Sequence, residues 1–299
     1  MTLRLGILGL SPGNGHPYSW SAICNGYDPA AMADCGFPVI PEYLARRNWP
    51  EDRIPGVRVT HVWTQDRAVS DRVARAALID TVVARPEEMI GGIDALLLAR
   101  DDAQNHRPLV EAFLRAGVPV YIDKPVALSE VEFDELHALQ TRPGQIFSCS
   151  ALRFAPEMQL DAETAERIGQ IRLIQGMTPK YWTTYAMHLV DPVLAMLGYE
   201  AMPERLFSGP VGTDGRFLAL RWPQGGPDVH LTAVGSDVLS PLLLRVVGDE
   251  GEITLTFSDS FRAFKLALME FVTGVREGYS RLPEAFNRRA VQIIEMGIE

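Results

Sequence analysis

Lysine is scarce in this chain: three residues (124, 180 and 265) stand against 25 arginines among 299 residues. Cysteine is equally sparse. Cys24, Cys35 and Cys149 are odd in number and lack CxxC spacing, which argues against a disulfide framework or a zinc knuckle and suits a reducing compartment. Positive charge is in deficit, with a formal net charge of −10 and no basic stripe, so neither nucleic acid nor an anionic membrane surface is an expected partner. No apolar run approaches the ~20 residues that span a bilayer. The opening MTLRLGILGL has no small-residue cleavage site after its apolar run. The expected location is the cytoplasm. No HxH or HxxxH pair and no Asp/Glu/His cluster suggests a metal. Internal repeats and low-complexity tracts are also missing. What is present is an ordinary globular composition, 47% hydrophobic and 22% charged, in a chain long enough for two domains of about 150 residues.

Strand and helix patterns alternate through the first half. Strand candidates are Leu3–Leu10, Val57–Thr64, Ile93–Ala99, Val118–Ile122 and Gln145–Cys149, with helices over Arg67–Leu78, Pro108–Ala116 and Ser129–Leu139. This order predicts an α/β domain over residues 1–148 with a doubly wound parallel sheet of the Rossmann type. After Arg153 the rhythm changes to strands in near succession: Ile171–Met177, Glu204–Ser208, Phe217–Trp222, Val229–Val234, Leu242–Gly248 and Ile253–Phe257. Helices are expected at His188–Leu197, Phe261–Arg276 and Glu284–Met296. Residues 149–299 therefore read as an α+β domain with an open mixed or antiparallel sheet, suited to substrate binding and oligomerisation. Apolar strands such as Phe217–Trp222 and Leu242–Val247 predict a sheet face that stays dry only in a homodimer or homotetramer.

The first β-turn reads Gly6-Ile-Leu-Gly9-Leu-Ser11-Pro-Gly13-Asn14-Gly15-His16. Glycines after a first strand let backbone N–H groups approach a pyrophosphate, and the following helix adds its dipole. The strict GxGxxG pattern is broken, because Ser11 stands where the second glycine would fall. The alternative is a tight βα turn with no ligand. On the binding reading, Gly9, Ser11, Gly13 and Asn14 face a dinucleotide, and Asp66 at the end of the second strand accepts from its ribose. That carboxylate favours NAD over NADP, although Arg67 beside it offers a phosphate partner. Residues 17–55 form an insertion holding six aromatics (18, 20, 27, 37, 43, 49). Most are expected to pack an elaborated first helix, while His16, Tyr18 and Trp20 lie nearest the cofactor and substrate.

A buried strand then ends in Asp123-Lys124-Pro125. Charge at a strand's carboxyl end faces the crevice where α/β sheets bind ligands, and a lysine there can tune its pKa as an arginine cannot. With these residues in place, the chain resembles the glucose-fructose oxidoreductase / inositol dehydrogenase / MocA family of NAD(P)-dependent oxidoreductases. AGVPVYIDKPVALS (116–129) is similar to the family's AGKHVxxEKPxALS stretch, and IDALLLARDDAQNH (93–106) to IDAVxIATPxxxH. Leu152-Arg153-Phe154-Ala155-Pro156 is similar to its R-[FY]-x-P turn, and Tyr185-Ala-Met-His188-Leu-Val-Asp191 to its GxHxxD helix start. The resemblance implies that Lys124 touches both the nicotinamide ribose and a substrate hydroxyl, and that His188 is the acid/base. It places Arg100 and His106 beside the cofactor, and Arg153, Tyr181, Thr184 and Tyr185 beside the substrate. Trp182 could line the same pocket. The chain departs from the family at Thr184, where many members carry an acid, at Ala186, where a glycine is usual, and at Arg100-Asp101, which replace Thr-Pro.

The expected function is hydride transfer between a nicotinamide and a secondary alcohol of a sugar, cyclitol or sugar derivative. The alternative is a family member without turnover that binds a ligand or acts as a scaffold. A third possibility is elimination or epimerisation with a bound NAD.

Overall fold

The computed structural model describes residues 2–298. In chain order the first half runs β1 (Leu3–Leu8), α1 (His16–Asn25), α2 (Pro29–Ala33), α3 (Val39–Leu44), β2 (Val57–Trp63), α4 (Arg67–Ala76), β3 (Thr81–Val82), β4 (Ala95–Leu98), α5 (His106–Arg115), β5 (Val120–Ile122), α6 (Glu130–His137) and β6 (Ile146–Phe147). The second half runs α7 (Ala162–Ile168), β7 (Ile171–Thr178), α8 (Trp182–Tyr185), α9 (Met187–Leu197), β8 (Glu204–Val211), β9 (Gly215–Arg221), β10 (Asp228–Ala233), β11 (Leu243–Gly248), β12 (Glu252–Thr256), α10 (Ser260–Glu277) and α11 (Glu284–Ile298).

Two compact units result. The first holds the residues up to Val126 together with Asp134–Ser148 and Ser260–Leu282; the second holds Ala127–Phe133, Cys149–Asp259 and the residues from Pro283. In the first, a wholly parallel sheet has the order β3-β2-β1-β4-β5-β6. β4 is buried at every position, as the unbroken apolar run Ala95–Leu98 requires of a strand covered on both faces. The strand order reverses between β1 and β4, so a crevice opens at their carboxyl ends. Strands β1 and β4 are shorter than expected, although the Gly9 N–H still donates to the Trp63 carbonyl of β2 at 3.1 Å.

The insertion folds as α1 to α3. All of α1 except His16 is buried, and Pro17 in its first turn needs no N–H there. Trp20 stacks on Tyr121 at 4.8 Å, and Tyr121 meets Phe271 of α10 at 5.6 Å. Phe261 of α10 also packs against Tyr43 and Trp49. Tyr43 and Trp49, half-buried, pack as expected, whereas Trp20, placed in the sequence nearest the cofactor and substrate, is core. Helix α10, by contrast, was assigned from its sequence position to the second domain and folds within the first unit. Its aromatic face explains this, because the insertion supplies that face's partners.

The second unit is built on a mixed sheet of order β12-β11-β7-β10-β9-β8, in which β7 and β10 run parallel and the other neighbours antiparallel. One face buries Ile174, Leu218, Leu220, Val229, Leu231, Leu244 and Val246. Gly176 lies at its centre, where an added Cβ would stand 2.9 Å from Leu244, 3.0 Å from Leu231 and 3.3 Å from Leu189 of α9. The glycine thus sets how closely α9, which carries His188, approaches the sheet. The four-residue helix α8 was missed in the sequence, being too short to show a period. Gly176→Ala is expected to destabilise the protein. Overpacking costs about 1–3 kcal/mol, against the ~0.5–1 kcal/mol returned by replacing glycine in a strand. Chemical denaturation should show the net loss, and a variant as stable as the parent would mean that α9 has room to spare.

Candidate functional site

The carboxyl ends of β1, β4 and β5 gather a charged network in the first unit. Asp123, only 2% exposed, is its centre. Its Oδ2 accepts from Asn14 Nδ2 at 2.9 Å and lies 2.6 Å from His16 Nδ1, while its Oδ1 accepts from the Lys124 backbone N–H at 2.8 Å. Burial alone would raise the Asp123 pKa. The charges of His16 and Lys124, with hydrogen bonds from His16 and Asn14, outweigh burial and hold it below the usual carboxylate range. The acid is therefore ionised at neutral pH. Lys124 is itself 3% exposed, and its Nζ lies 3.9 Å from Asp101 Oδ2. Asp101 is fixed in turn by Ser11, whose Oγ donates to Asp101 Oδ1 at 2.5 Å.

The glycine loop is tied down by Gln65, which the sequence did not single out, and by Arg100. Gln65 Oε1 accepts from Leu10 N–H at 3.0 Å, and Gln65 Nε2 donates to the Leu10 carbonyl at 2.6 Å. Arg100 forks onto Asp102 through Nε and Nη2 (2.9 and 2.5 Å), and its Nη1 reaches both the Leu10 carbonyl and Gln65 Oε1. Gly9 is needed for close packing, since a Cβ there would fall 2.3 Å from Pro17 Cγ. Gly13, at φ 77°, is the exposed tip, and nothing lies within 4 Å of where its Cβ would be. The donors at the amino end of α1 are already used: His16 N–H bonds Asn14 Oδ1, and the Tyr18 and Ser19 N–H groups bond the Gly15 carbonyl. What this helix end offers a phosphate is its dipole, as expected of the helix that follows the glycine loop.

Other expected site residues are placed differently. Asp66 is exposed at the end of β2 and caps α4 by accepting from Ala68 N–H at 2.8 Å. The neighbouring Arg67 is engaged by Asp71 at 2.9 Å. Asn14 turns inward onto Asp123 rather than outward. His106 is 1% exposed, with Nε2 2.8 Å from the Arg100 carbonyl and Nδ1 3.2 Å from the Val126 carbonyl. Burial holds its pKa below the ordinary imidazole range. The neutral ring then has one N–H, which suits the shorter contact to Arg100. His106 pins the backbone after β4.

The second unit carries its own chain of contacts. Lys180 Nζ donates to the Tyr185 hydroxyl at 2.7 Å, and the Tyr185 ring meets the His188 ring edge-on at 5.1 Å. His188 Nδ1 lies 2.8 Å from Ser150 Oγ. The Ser150 backbone N–H donates to Asp191 Oδ2 at 2.7 Å, and Arg153 Nη1 donates to Asp191 Oδ1 at 3.2 Å while its guanidinium stacks over Phe286 at 4.1 Å. Arg153, expected at the substrate, is thus committed to Asp191 and Phe286. Trp182 is core, with Nε1 donating to the Ile294 carbonyl at 2.8 Å. Tyr181 is exposed, and Thr184 and Tyr185 are half-buried. Burial pushes the Asp191 pKa up to about 6, against the Arg153 charge and the hydrogen bonds from Ser150 and Arg153. Among the described residues, no group of three or more His, Cys, Asp or Glu side chains could hold a metal ion, and no helix is long and apolar enough to cross a membrane.

Residues 39–150 match the family model GFO_IDH_MocA, described as an oxidoreductase family with an NAD-binding Rossmann fold. The resemblance drawn from the motifs therefore holds over that stretch, which begins after the glycine loop. No curated protein sequence matches the chain. Among solved structures, myo-inositol 2-dehydrogenase from Lactobacillus plantarum is similar at TM-score 0.72 and 15% identity, covering 99% of this chain and 96% of its own. A myo-inositol dehydrogenase from Corynebacterium glutamicum gives TM-score 0.71 and 14% identity over 100% of this chain and 96% of that one. The myo-inositol dehydrogenase of Lactobacillus casei, solved with NAD(H) and myo-inositol, gives 0.72 and 13% over 99% and 93%. At these identities the likeness is one of fold, and it extends across both units.

Asp191 generates a pH prediction. An acid whose pKa is raised on folding, from 3.8 to about 6, binds its proton more tightly in the folded state, so stability falls as pH rises through that window. Between pH 5 and 7.5 the parent should lose roughly 1 kcal/mol relative to Asp191→Asn, which has no such proton to release. Denaturation of both proteins at the two pH values checks this, and a constant difference between them would refute the raised pKa.

Proposed function

We propose that this chain is an NAD-dependent oxidoreductase that passes a hydride between the nicotinamide and a secondary alcohol of a sugar, cyclitol or sugar derivative. The observation that carries the reading is Lys124, a buried ammonium at the carboxyl end of β5, in reach of Asp101 and beside the ionised Asp123. An α/β sheet holds a dinucleotide at that end of its strands. The loop suits one: Gly13 leaves space at its tip, and the exposed Asp66 carboxylate ends β2 where a ribose would be met. When bound, the nicotinamide supplies the hydride acceptor or donor. Lys124 would hold the substrate oxygen by a charge-assisted hydrogen bond. His188 would exchange the hydroxyl proton through Nε2. The inositol dehydrogenases that share the fold favour a polyhydroxylated substrate.

A second reading also has an observation in its favour. Gln65 and Arg100 close on Leu10, and the α1 donors are spent internally. Thr184 stands where many relatives carry an acid. A protein that binds a ligand without turnover would tolerate all three.

Four outcomes are expected. Calorimetry should show NADH binding, and more tightly than NADPH, because Asp66 would repel a 2′-phosphate; tighter NADPH binding would overturn that assignment. NADH should form when the protein is given NAD and a panel of polyols and sugar derivatives. Lys124→Ala and His188→Ala should each lower kcat about 10²–10⁴-fold, and turnover that survives His188→Ala unchanged would remove that residue from proton transfer. Finally, we assign the half-exposed sheet face bearing Leu173, Met177, Phe217, Leu243 and Val247, with Phe207 59% exposed, to contact between copies of the chain. Light scattering should give a dimer or tetramer at micromolar concentration; the mass of a single chain would refute this.

A further inference from the structure

Ser150 is fully buried, and its hydroxyl has two polar neighbours among the described residues. One is the Leu152 N–H at 3.2 Å, where Ser150 caps the turn Ala151–Phe154. The other is His188 Nδ1 at 2.8 Å. A serine hydroxyl has one proton to donate and two lone pairs to accept with. Leu152 can only donate, so it occupies a lone pair and leaves the hydroxyl proton unplaced. The one acceptor in reach of that proton is Nδ1. If Nδ1 carried a proton itself, two donors would share a single oxygen and the buried Ser150 O–H would point at nothing, which folded proteins avoid.

We infer that Ser150 is a positioning residue for His188: it donates to Nδ1 and so holds the neutral imidazole with its proton on Nε2. The backbone around Ser150 is anchored for the purpose. Its N–H is held by Asp191, Asp191 by Arg153, and the Arg153 guanidinium lies over the Phe286 ring. The hydroxyl therefore cannot drift away from the ring without breaking a buried chain of contacts. This inference rests on the role proposed for His188. In that role the neutral ring meets a substrate oxygen as a hydrogen-bond donor at Nε2. Taking a proton from an alcohol there requires a bare Nε2, so water must carry the Nε2 proton away and supply one to Nδ1 of the partly exposed ring, while the Ser150 hydroxyl turns a lone pair to Nδ1 and its own proton is left without a partner. Serine permits the turn because its oxygen both donates and accepts. A backbone carbonyl or a carboxylate at the same place would only accept and would hold the opposite tautomer.

The test needs no turnover. The full chain is labelled with ¹⁵N-histidine, and long-range ¹H–¹⁵N spectra are recorded at a pH where the ring is neutral. The His188 signals are identified among the six histidines by their loss in His188→Gln. The expected result is a protonated Nε2 and a bare, hydrogen-bonded Nδ1 in the parent and in Ser150→Thr. In Ser150→Ala the Nδ1 signal should move toward the protonated position. A parent His188 protonated on Nδ1, or a tautomer unchanged in Ser150→Ala, overturns the inference; the first result stands even if the alanine variant fails to fold. A protein with no turnover but with the expected tautomer would refute the proposed reaction and leave the serine's role intact.

Discussion

An ionised carboxylate buried without partners costs so much that it takes up a proton instead. Asp123 escapes that outcome, and the architecture of the first unit follows from how it does so. Its partners come from three places: Asn14 in the loop after β1, His16 at the start of α1, and Lys124 directly after it, past the end of β5. The loop is therefore shaped as much by one buried charge as by its glycines. The same arrangement uses up the donors at the amino end of α1, because His16 must present its ring to Asp123 while its N–H is taken by Asn14. Removing any one partner would leave the charge less compensated, and breaking such a buried group on one side costs about 3–5 kcal/mol.

Asp191 in the second unit shows the opposite balance. It too is fully buried, but it faces one cation, Arg153, whose side chain is 20% exposed, and one backbone N–H. That is too little to offset desolvation, so its pKa rises where that of Asp123 falls. The direction of each shift is set by the number and burial of opposing charges, since both carboxylates lose nearly all their water. Asp123 consequently serves as a fixed negative charge, whereas Asp191 is an anchor that changes state in mildly acid solution.

Much of the fold was legible because it is written locally. The apolar runs Leu3–Leu8 and Ala95–Leu98 and the β-branched stretch Val57–Trp63 announce strands. Strand β3, two residues long, has no period to detect. Lys124 was legible as a rare residue type at a strand's carboxyl end. Gln65, the Ser11–Asp101 pair and Ser150 were not, because their bonds join residues 55, 90 and 38 positions apart and leave no pattern in any short window. The family likeness also pulled attention outward. Asn14, His106 and Arg153 were read as ligand contacts, and each is turned onto a protein partner. A polar residue in a motif can serve the motif by holding its neighbours.

The division of labour between lysine and arginine follows from geometry. Arg100 clamps Asp102 with two donors and closes on Leu10, a planar fork whose partners are fixed once made. Lys124 sits 3.9 Å from Asp101, near enough for charge attraction but beyond a hydrogen bond to that oxygen. Lys180 reaches its tyrosine through a single donor. An ammonium on a four-carbon stem can be drawn from a protein oxygen to a ligand oxygen at little cost, whereas a bidentate guanidinium must give up two bonds together. Lys265 marks the limit of this argument, since it pairs with Asp52 beside Phe261 and an arginine could do the same. For the other two lysines, the ability to exchange partners is what an arginine would take away.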